Sequence, residues 1–343
     1  MRIKTSNQRI IKSSNKQQME YLSIFILLLA AELLYFRIAK HYKIIDKPNE
    51  RSSHSHVTLR GGGIIFWIAA LLYTAFHPSV ISIWFLVGMT IISGVSFWDD
   101  VKGVNQKARL VFHLFAMTCV FYLTGVFGMF PWWAIVLGYI VFIGIVNAYN
   151  FMDGINGITG LYTLAVLLAM LYLNERIIHF VSVEFLIYPM IASIVFLFFN
   201  FRTKARCFAG DVGSVGVAFW IVTMLLLLMI KTHNLIWIGF LLVYGVDTVC
   251  TIFHRIYLRQ NLMEAHRLHF FQVLANEKQI PHQVVSLIYA GVQLVCCFSI
   301  IYFYPRIGWW IFVILAVILT GMYCLKFRLM KYSKELTDNA NFQ

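Results

Sequence analysis

The sequence predicts an all-α polytopic integral membrane protein, and three observations predict it. Hydrophobic residues make up 60% of the 343 positions, charged residues only 13%, and mean hydropathy is +0.75. Soluble domains run near roughly 45–50% and 25%. The apolar residues fall into continuous runs near the ~20 that a helix needs to cross the hydrocarbon core. Those runs lack the two-residue alternation of barrel strands, and only helices or closed barrels satisfy every backbone group inside a bilayer. A soluble two-domain protein, a disordered chain, a collagen and a disulfide scaffold are excluded by the same composition.

About eleven spans follow, or ten if one weak run fails to cross. The first, 20–38, opens on Glu20 and is otherwise uncharged apart from Glu32 and Arg37. The second, 61–76, is short and opens on Gly61-Gly62-Gly63. Spans 80–97 and 110–128 flank Asp99-Asp100, and 131–149 begins with the interfacial pair Trp132-Trp133. Next come 157–174 and 180–200, the latter interrupted by Glu184 and Pro189. Spans 213–231 and 234–254 follow, with Asp247 inside the second. The last two are 282–304 and 308–326, the final one starting at Trp309-Trp310. The organisation expected is a polar extension 1–19, one transmembrane unit 20–326 and a tail 327–343.

Charge orients the spans. Of 28 Lys and Arg against 15 Asp and Glu, 20 basic residues fall in the loops 39–60 (counting Arg37), 98–109, 201–212 and 255–281 and in the tail from 326; 8 fall on the other side. The positive-inside rule makes the first set cytoplasmic. Five of the eight precede residue 19, and translation starting at Met19 would leave 20 against 3. Residues 1–18 have no apolar segment or cleavage site of a signal peptide. The six cysteines form neither a disulfide framework nor a metal-binding spacing.

The polar chemistry collects on the same face. Asp99-Asp100 ends a span, where the helix dipole and mutual repulsion both disfavour two carboxylates. A cation or a phosphate-handling task would offset that; a solvated acid pair is the plainer alternative. Asn147, Asn150 and Asp153 recur every three residues before Gly154-Ile155-Asn156-Gly157, offering hard oxygen ligands suited to Mg²⁺ or, alternatively, an Asx-rich turn. Gly210-Asp211-Val212-Gly213-Ser214 opens a helix, an anion site beside a metal-binding acid, or simply an N-cap region. His266 and His269, three apart, read as a same-face helical pair with Arg267 between them, suited to phosphate recognition, or as a basic loop. The first loop runs from Asp46 through Arg51, His54 and Arg60 to the triple glycine, a basic, hydroxyl-rich stretch that suits a nucleotide or phosphate. Asp247, ionisable inside a span, is a functional-site candidate by position alone.

In their order these motifs resemble the polyprenyl-phosphate N-acetylhexosamine-1-phosphate transferases, over roughly residues 45–275. The Asp46–Gly63 loop is similar to that family's Pro-Asn-x-Arg-Ser-Ser-His to Arg-Gly-Gly-Gly element, Asp99-Asp100 to its Asp-Asp motif, Asn150–Gly157 to its Asn-x-x-Asp-Gly-x-x-Gly motif, Gly210-Asp211 to its Gly-Asp-x-Gly-Ser motif, and His266-Arg267-Leu268-His269 to its last cytoplasmic motif. The resemblance implies transfer of an N-acetylhexosamine 1-phosphate from a UDP-N-acetyl sugar to undecaprenyl phosphate, releasing UMP. It implies Mg²⁺, with Mn²⁺ as an alternative, held by Asp211 and Asn150, and Asp99 and Asp100 as catalytic residues at the lipid phosphate. It implies Arg51, His54, Arg60, Asp153, Asn156, His266, Arg267 and His269 as substrate contacts, a bacterial inner-membrane location with the site facing the cytoplasm, and a homodimer. Lys102-Gly103 stands where many relatives carry a third Asp, and Phe270 follows His269 where many carry another His. These departures bear on which sugar is used.

A secondary transporter or lipid flippase is the alternative from another class, but such proteins place their ionisable groups near the bilayer midplane. The +13 net charge is accounted for by orientation, membrane lipid and an anionic substrate; no nucleic acid is needed.

Overall fold

The computed structural model describes residues 2–46, 56–262 and 266–330. Helix α1 (Arg2–His41) leads into a two-residue antiparallel ladder, β1 (Ile45–Asp46) with β2 (Thr58–Leu59), and a 3₁₀ turn at Gly62–Ile64. The helices α2 (Ile65–Phe76), α3 (Val80–Lys102), α4 (Gln106–Thr124), the single turn α5 (Val126–Met129) and α6 (Trp132–Met152) follow. Next are α7 (Ile158–Arg176), α8 (Val183–Asn200), α9 (Gly210–Thr232) and α10 (Leu242–Tyr257), the last entered through a 3₁₀ segment. After the short α11 (Phe270–Gln272), α12 (His282–Ile307) and α13 (Trp310–Leu329) complete the bundle.

Among the described residues ten helices are long and apolar enough to span a membrane, while Gly62–Phe76 is shorter. At about 1.5 Å per residue, the twelve residues of α2 fall well short of the ~30 Å hydrocarbon core. The expected span at 61–76 is thus a short helix packed against α8, α3 and α1. Its end still lies level with the early part of α1, where His77 Nε2 meets Glu20 Oε1 at 2.8 Å. The chain therefore changes ends of the bundle at α2 as the hydropathy pattern requires. Pro189, which made 180–200 uncertain, sits inside a continuous α8.

Burial ranks the helices. In α9, 78% of the apolar window is buried and in α7 67%, against 28% in α6 and 22% in α13. Helix α9 is the central post, with α3, α6 and α2 packed around it. Lipid is as apolar as leucine, so close backbone approach between small residues does much of the packing. The tightest approach is Gly63 against Gly213: a Cβ on Gly63 would lie 2.1 Å from Gly213 Cα. That contact presses the chain after β2 onto the first turn of α9. Every motif from the sequence that falls in the described residues gathers at this end of the bundle, while Trp132, Trp133, Trp309 and Trp310 are exposed at the opposite helix starts.

Candidate active site

Three carboxylates from two helix ends meet at the head of α9. Asp99 and Asp100 are in the last turns of α3, and Asp211 is the second residue of α9. Asp100 Oδ1 accepts from the Asp211 N–H at 2.9 Å and Oδ2 from the Val212 N–H at 3.0 Å. Its carboxylate therefore caps the positive end of α9, where backbone donors have no helical partner. Gly210, at φ +69, makes room, since a Cβ there would lie 2.5 Å from Asp100 Oδ2. The Gly-Asp-x-Gly segment, read from sequence as an anion site at a helix N-terminus, is one, and the anion seated on it is Asp100.

Two arginines tie the carboxylates together. Arg60, delivered by β2, places Nε 2.7 Å from Asp100 Oδ1 and Nη2 3.5 Å from Asp211 Oδ1. Arg109, one turn into α4, places Nη1 2.7 Å from Asp99 Oδ2 and 3.1 Å from Asp211 Oδ2. Asn150, near the end of α6, donates from Nδ2 to Asp211 Oδ1 at 3.0 Å and to Ser214 Oγ at 3.2 Å. Three carboxylates against two guanidinium groups leave the cluster one charge negative, an arrangement that a cation would complete.

Asp153 and Asn156 shape the turn after α6. Asp153 accepts from Thr159 Oγ1 at 2.6 Å, and its carboxyl is pushed up to about 7, by burial first and then by Asp211 and Asp100. Asn156 directs its amide to the Arg202 carbonyl at 2.7 Å, and its own carbonyl accepts from Ser286 Oγ at 2.9 Å. It holds the turn against the segment before α9 and against α12.

Two cavities flank the cluster. The first, about 260 Å³, is lined by Arg60, Asn150, Asp153, Asp211 and His282 among others. The second, about 500 Å³, is lined by Arg109, His113, Arg255, His266 and His269 and by apolar Leu110, Ile143 and Phe151 among others. Asn150 and Gln272 belong to both. Phe151 and Leu110 are exposed on the outer face of the bundle, so the second cavity borders the lipid-facing surface.

Comparison with known proteins places the chain. The family model described as glycosyl transferase family 4 matches residues 82–229, which is α3 through most of α9 and includes Asp99, Asp100, Asn150 and Asp211. Over that segment the chain is similar to glycosyl transferase family 4. It is 27% identical over 262 residues to the probable undecaprenyl-phosphate N-acetylglucosaminyl 1-phosphate transferase of Bacillus subtilis (strain 168), covering 68% of this chain and 70% of that protein. It is 25% identical over 338 residues to the undecaprenyl-phosphate alpha-N-acetylglucosaminyl 1-phosphate transferase of Escherichia coli O157:H7, covering 88% and 90%. Similarity extends to the decaprenyl-phosphate N-acetylglucosaminephosphotransferase of Mycobacterium leprae (strain TN), 23% identical over 355 residues, covering 86% and 87%.

The histidine motif differs from its expected form. Residues 266–268 are not helical, and His269 instead precedes α11 as its cap. The two rings nevertheless lie 5.0 Å apart. Burial, then His269 and Arg255, lowers His266 to about 3, so it is neutral in the structure. His269 Nδ1 is 3.1 Å from Asp247 Oδ1, and Asp247 also accepts from the Phe270 N–H at 3.1 Å and from Tyr289 Oη at 2.6 Å. Asp247, suspected for its place inside a span, thus orients a site histidine. Arg267 lines neither cavity. Arg51 and His54 lie outside the described residues.

Two contributors carried no sequence signal of their own. Arg109 counted only as one of many basic residues; what places it is the tight turn at Gly103–Asn105, which folds α4 back along α3. His113, one turn further on, is buried in the wall of the second cavity with Nε2 unpartnered among the described residues.

Proposed function

We propose that the chain transfers an N-acetylhexosamine 1-phosphate from a UDP-sugar to undecaprenyl phosphate, releases UMP and so initiates a cell-surface polysaccharide at the cytoplasmic face of a bacterial inner membrane. One observation carries the reading: a single guanidinium nitrogen, Arg109 Nη1, bridges Asp99 and Asp211 between a polar cavity and one that borders the lipid-facing surface. Phosphoryl transfer between a soluble donor and a lipid acceptor needs that juxtaposition and charge neutralisation more than covalent help. The names of the relatives support the lipid phosphate and the amino sugar.

In this reading the nucleotide sugar occupies the first cavity, its pyrophosphate near Arg60 and Asp211. The lipid phosphate enters the second cavity at Arg109, the partner of Asp99, with His269 and His266 around it and the prenyl chain leaving past Phe151. Asp211 and Asn150 would hold Mg²⁺. They line the first cavity together and offer hard oxygens, and Mg²⁺ is usually held by one or two carboxylates with substrate phosphates rather than by an all-protein cage. When bound, the cation would neutralise charge on the pyrophosphate. Asp99 holds or accepts the acceptor's proton while a lipid phosphate oxygen forms its bond to the β-phosphorus. The bond from the β-phosphorus to the bridging oxygen breaks, and UMP leaves with that oxygen. Asp100 keeps α9 and Arg60 in register, and Asp153 and Asn156 shape the nucleotide pocket.

Purified protein with undecaprenyl phosphate, Mg²⁺ and a panel of UDP-N-acetyl sugars should release UMP with at least one sugar and stop when EDTA is added. No UMP from any sugar would overturn the reading and return weight to a transporter.

A further inference from the structure

Lys326 is a cation buried within a membrane-spanning helix. It lies in the last turns of α13 with no exposed surface. A lysine that merely snorkelled would keep its ammonium in water, and an ionisable group held inside a span marks a functional device by default. Here Nζ donates to Tyr323 Oη at 2.6 Å and lies 3.3 Å from His254 Nδ1. Tyr323 Oη is 3.0 Å from Thr251 Oγ1, and Thr251 Oγ1 donates to Asp247 Oδ1 at 3.3 Å. All four of these side chains, from Lys326 to Asp247, are buried.

The chain has one direction. An ammonium only donates, so the Tyr323 oxygen accepts from Lys326 and has its own proton to give. Thr251 commits its proton to Asp247, so its oxygen takes the tyrosine proton. Each link therefore points a proton toward Asp247, which also accepts from Tyr289 and the Phe270 N–H. A carboxylate filled with donors in this way acts only as an acceptor, and the ring nitrogen of His269 facing it must carry hydrogen. The other ring nitrogen, Nε2, is buried and unpartnered among the described residues, in a side chain that lines the second cavity.

We infer that Lys326, Tyr323 and Thr251 are positioning residues for the transfer reaction: a buried hydrogen-bond chain from α13 that keeps Asp247 acceptor-only, fixes the proton of His269 on Nδ1 and leaves Nε2 as an acceptor for a protonated oxygen of the acceptor phosphate. The inference rests on the proposed transfer for its catalytic consequence. Its structural half, the tautomer, does not. Helix α13 lies outside the stretch 82–229 that the family model matches, so the device draws on a part of the chain beyond that match.

The test uses Tyr323→Phe and Thr251→Val, which remove one hydroxyl each with little change of shape, together with Lys326→Met and Lys326→Arg, in the full-length protein in detergent. ¹⁵N spectra of the His269 imidazole should show one tautomer, protonated on Nδ1, in the wild type and the Arg variant, and a mixture in the other three. In those three, kcat should fall roughly tenfold to a hundredfold, the scale seen when an orienting partner of a histidine is lost. KM for the UDP-sugar should stay unchanged. An unaltered His269 tautomer in the folded Phe and Val variants overturns the inference, whatever their rates. If no protein transfers sugar phosphate, the transfer reading fails while the spectra still decide the hydrogen-bond chain.

Discussion

Asp100, in the last turn of α3, and Asp247, inside α10, are both buried carboxylates, and they are built for different work. Asp100 belongs to an open, charge-rich cluster in which Arg60 and Arg109 are shared among three acids beside two cavities. Asp247 belongs to a closed one, where hydroxyls, a ring nitrogen and a backbone amide surround a single carboxylate. Removing one partner from a cluster that carries net charge leaves an uncompensated charge next to the substrate. Removing one from the neutral-donor cluster disturbs only an orientation. The comparison yields an ordering: substitutions in the first region should cost the reaction more than substitutions in the second.

The largest effect is expected at Asp211→Asn. The change keeps the volume and the fold but removes the oxygen charge that Arg60, Arg109 and Asn150 converge on. Transfer should fall by roughly a thousandfold or more, the upper scale for losing one preorganised electrostatic group. UMP release and gel filtration measured on the same preparation check it; wild-type turnover would remove Asp211 from the site. Arg109→Ala should cost roughly a hundredfold, and Arg109→Lys should recover little, because an ammonium lacks the planar fork that reaches two carboxylates at once. Full rescue by lysine would show that only the charge matters. Asp247→Asn comes third, at roughly tenfold to a hundredfold in kcat with KM for the sugar nucleotide preserved. A loss at Asp247 larger than at Asp211 would reverse the ordering.

The open region was largely legible in the sequence and the closed one was not. Asp99, Asp100, Asn150 and Asp211 stand out because acids and amides at the ends of apolar runs have few structural reasons to be there. The closed region is made of Thr251, Tyr289, Tyr323 and Lys326, residue types that any helix end carries, drawn from α10, α12 and α13. Their meaning depends on which helices pack together, and span counting carries no packing information. The same gap explains the histidines: spacing of three suggested a helical face, but the cap at His269 and its bond to Asp247 hold 266–268 outside the helix. Helix α2 shows a limit of another kind. Hydropathy marked 61–76 as apolar, while the triple glycine, used for the Gly63–Gly213 contact, leaves only twelve residues for helix.

The smallest expected effect concerns Asp153, which borders the open cluster without an arginine of its own in hydrogen-bond range among the described residues. Its carboxyl is pushed up to about 7 by burial first, with Asp211 and Asp100 acting in the same direction. In the unfolded chain an aspartate titrates near ~3.9. Between those two values the folded state binds the extra proton, so stability falls as pH rises and levels off above about 7. Asp153→Asn removes that slope and retains an acceptor for Thr159 Oγ1. The variant should therefore gain thermal stability relative to the wild type as pH rises from about 4 to about 7, with a constant difference beyond that. Paired melting curves in detergent across this range measure it. A difference independent of pH would mean that Asp153 keeps an ordinary carboxylate range, and that the open cluster exerts no field on the turn after α6.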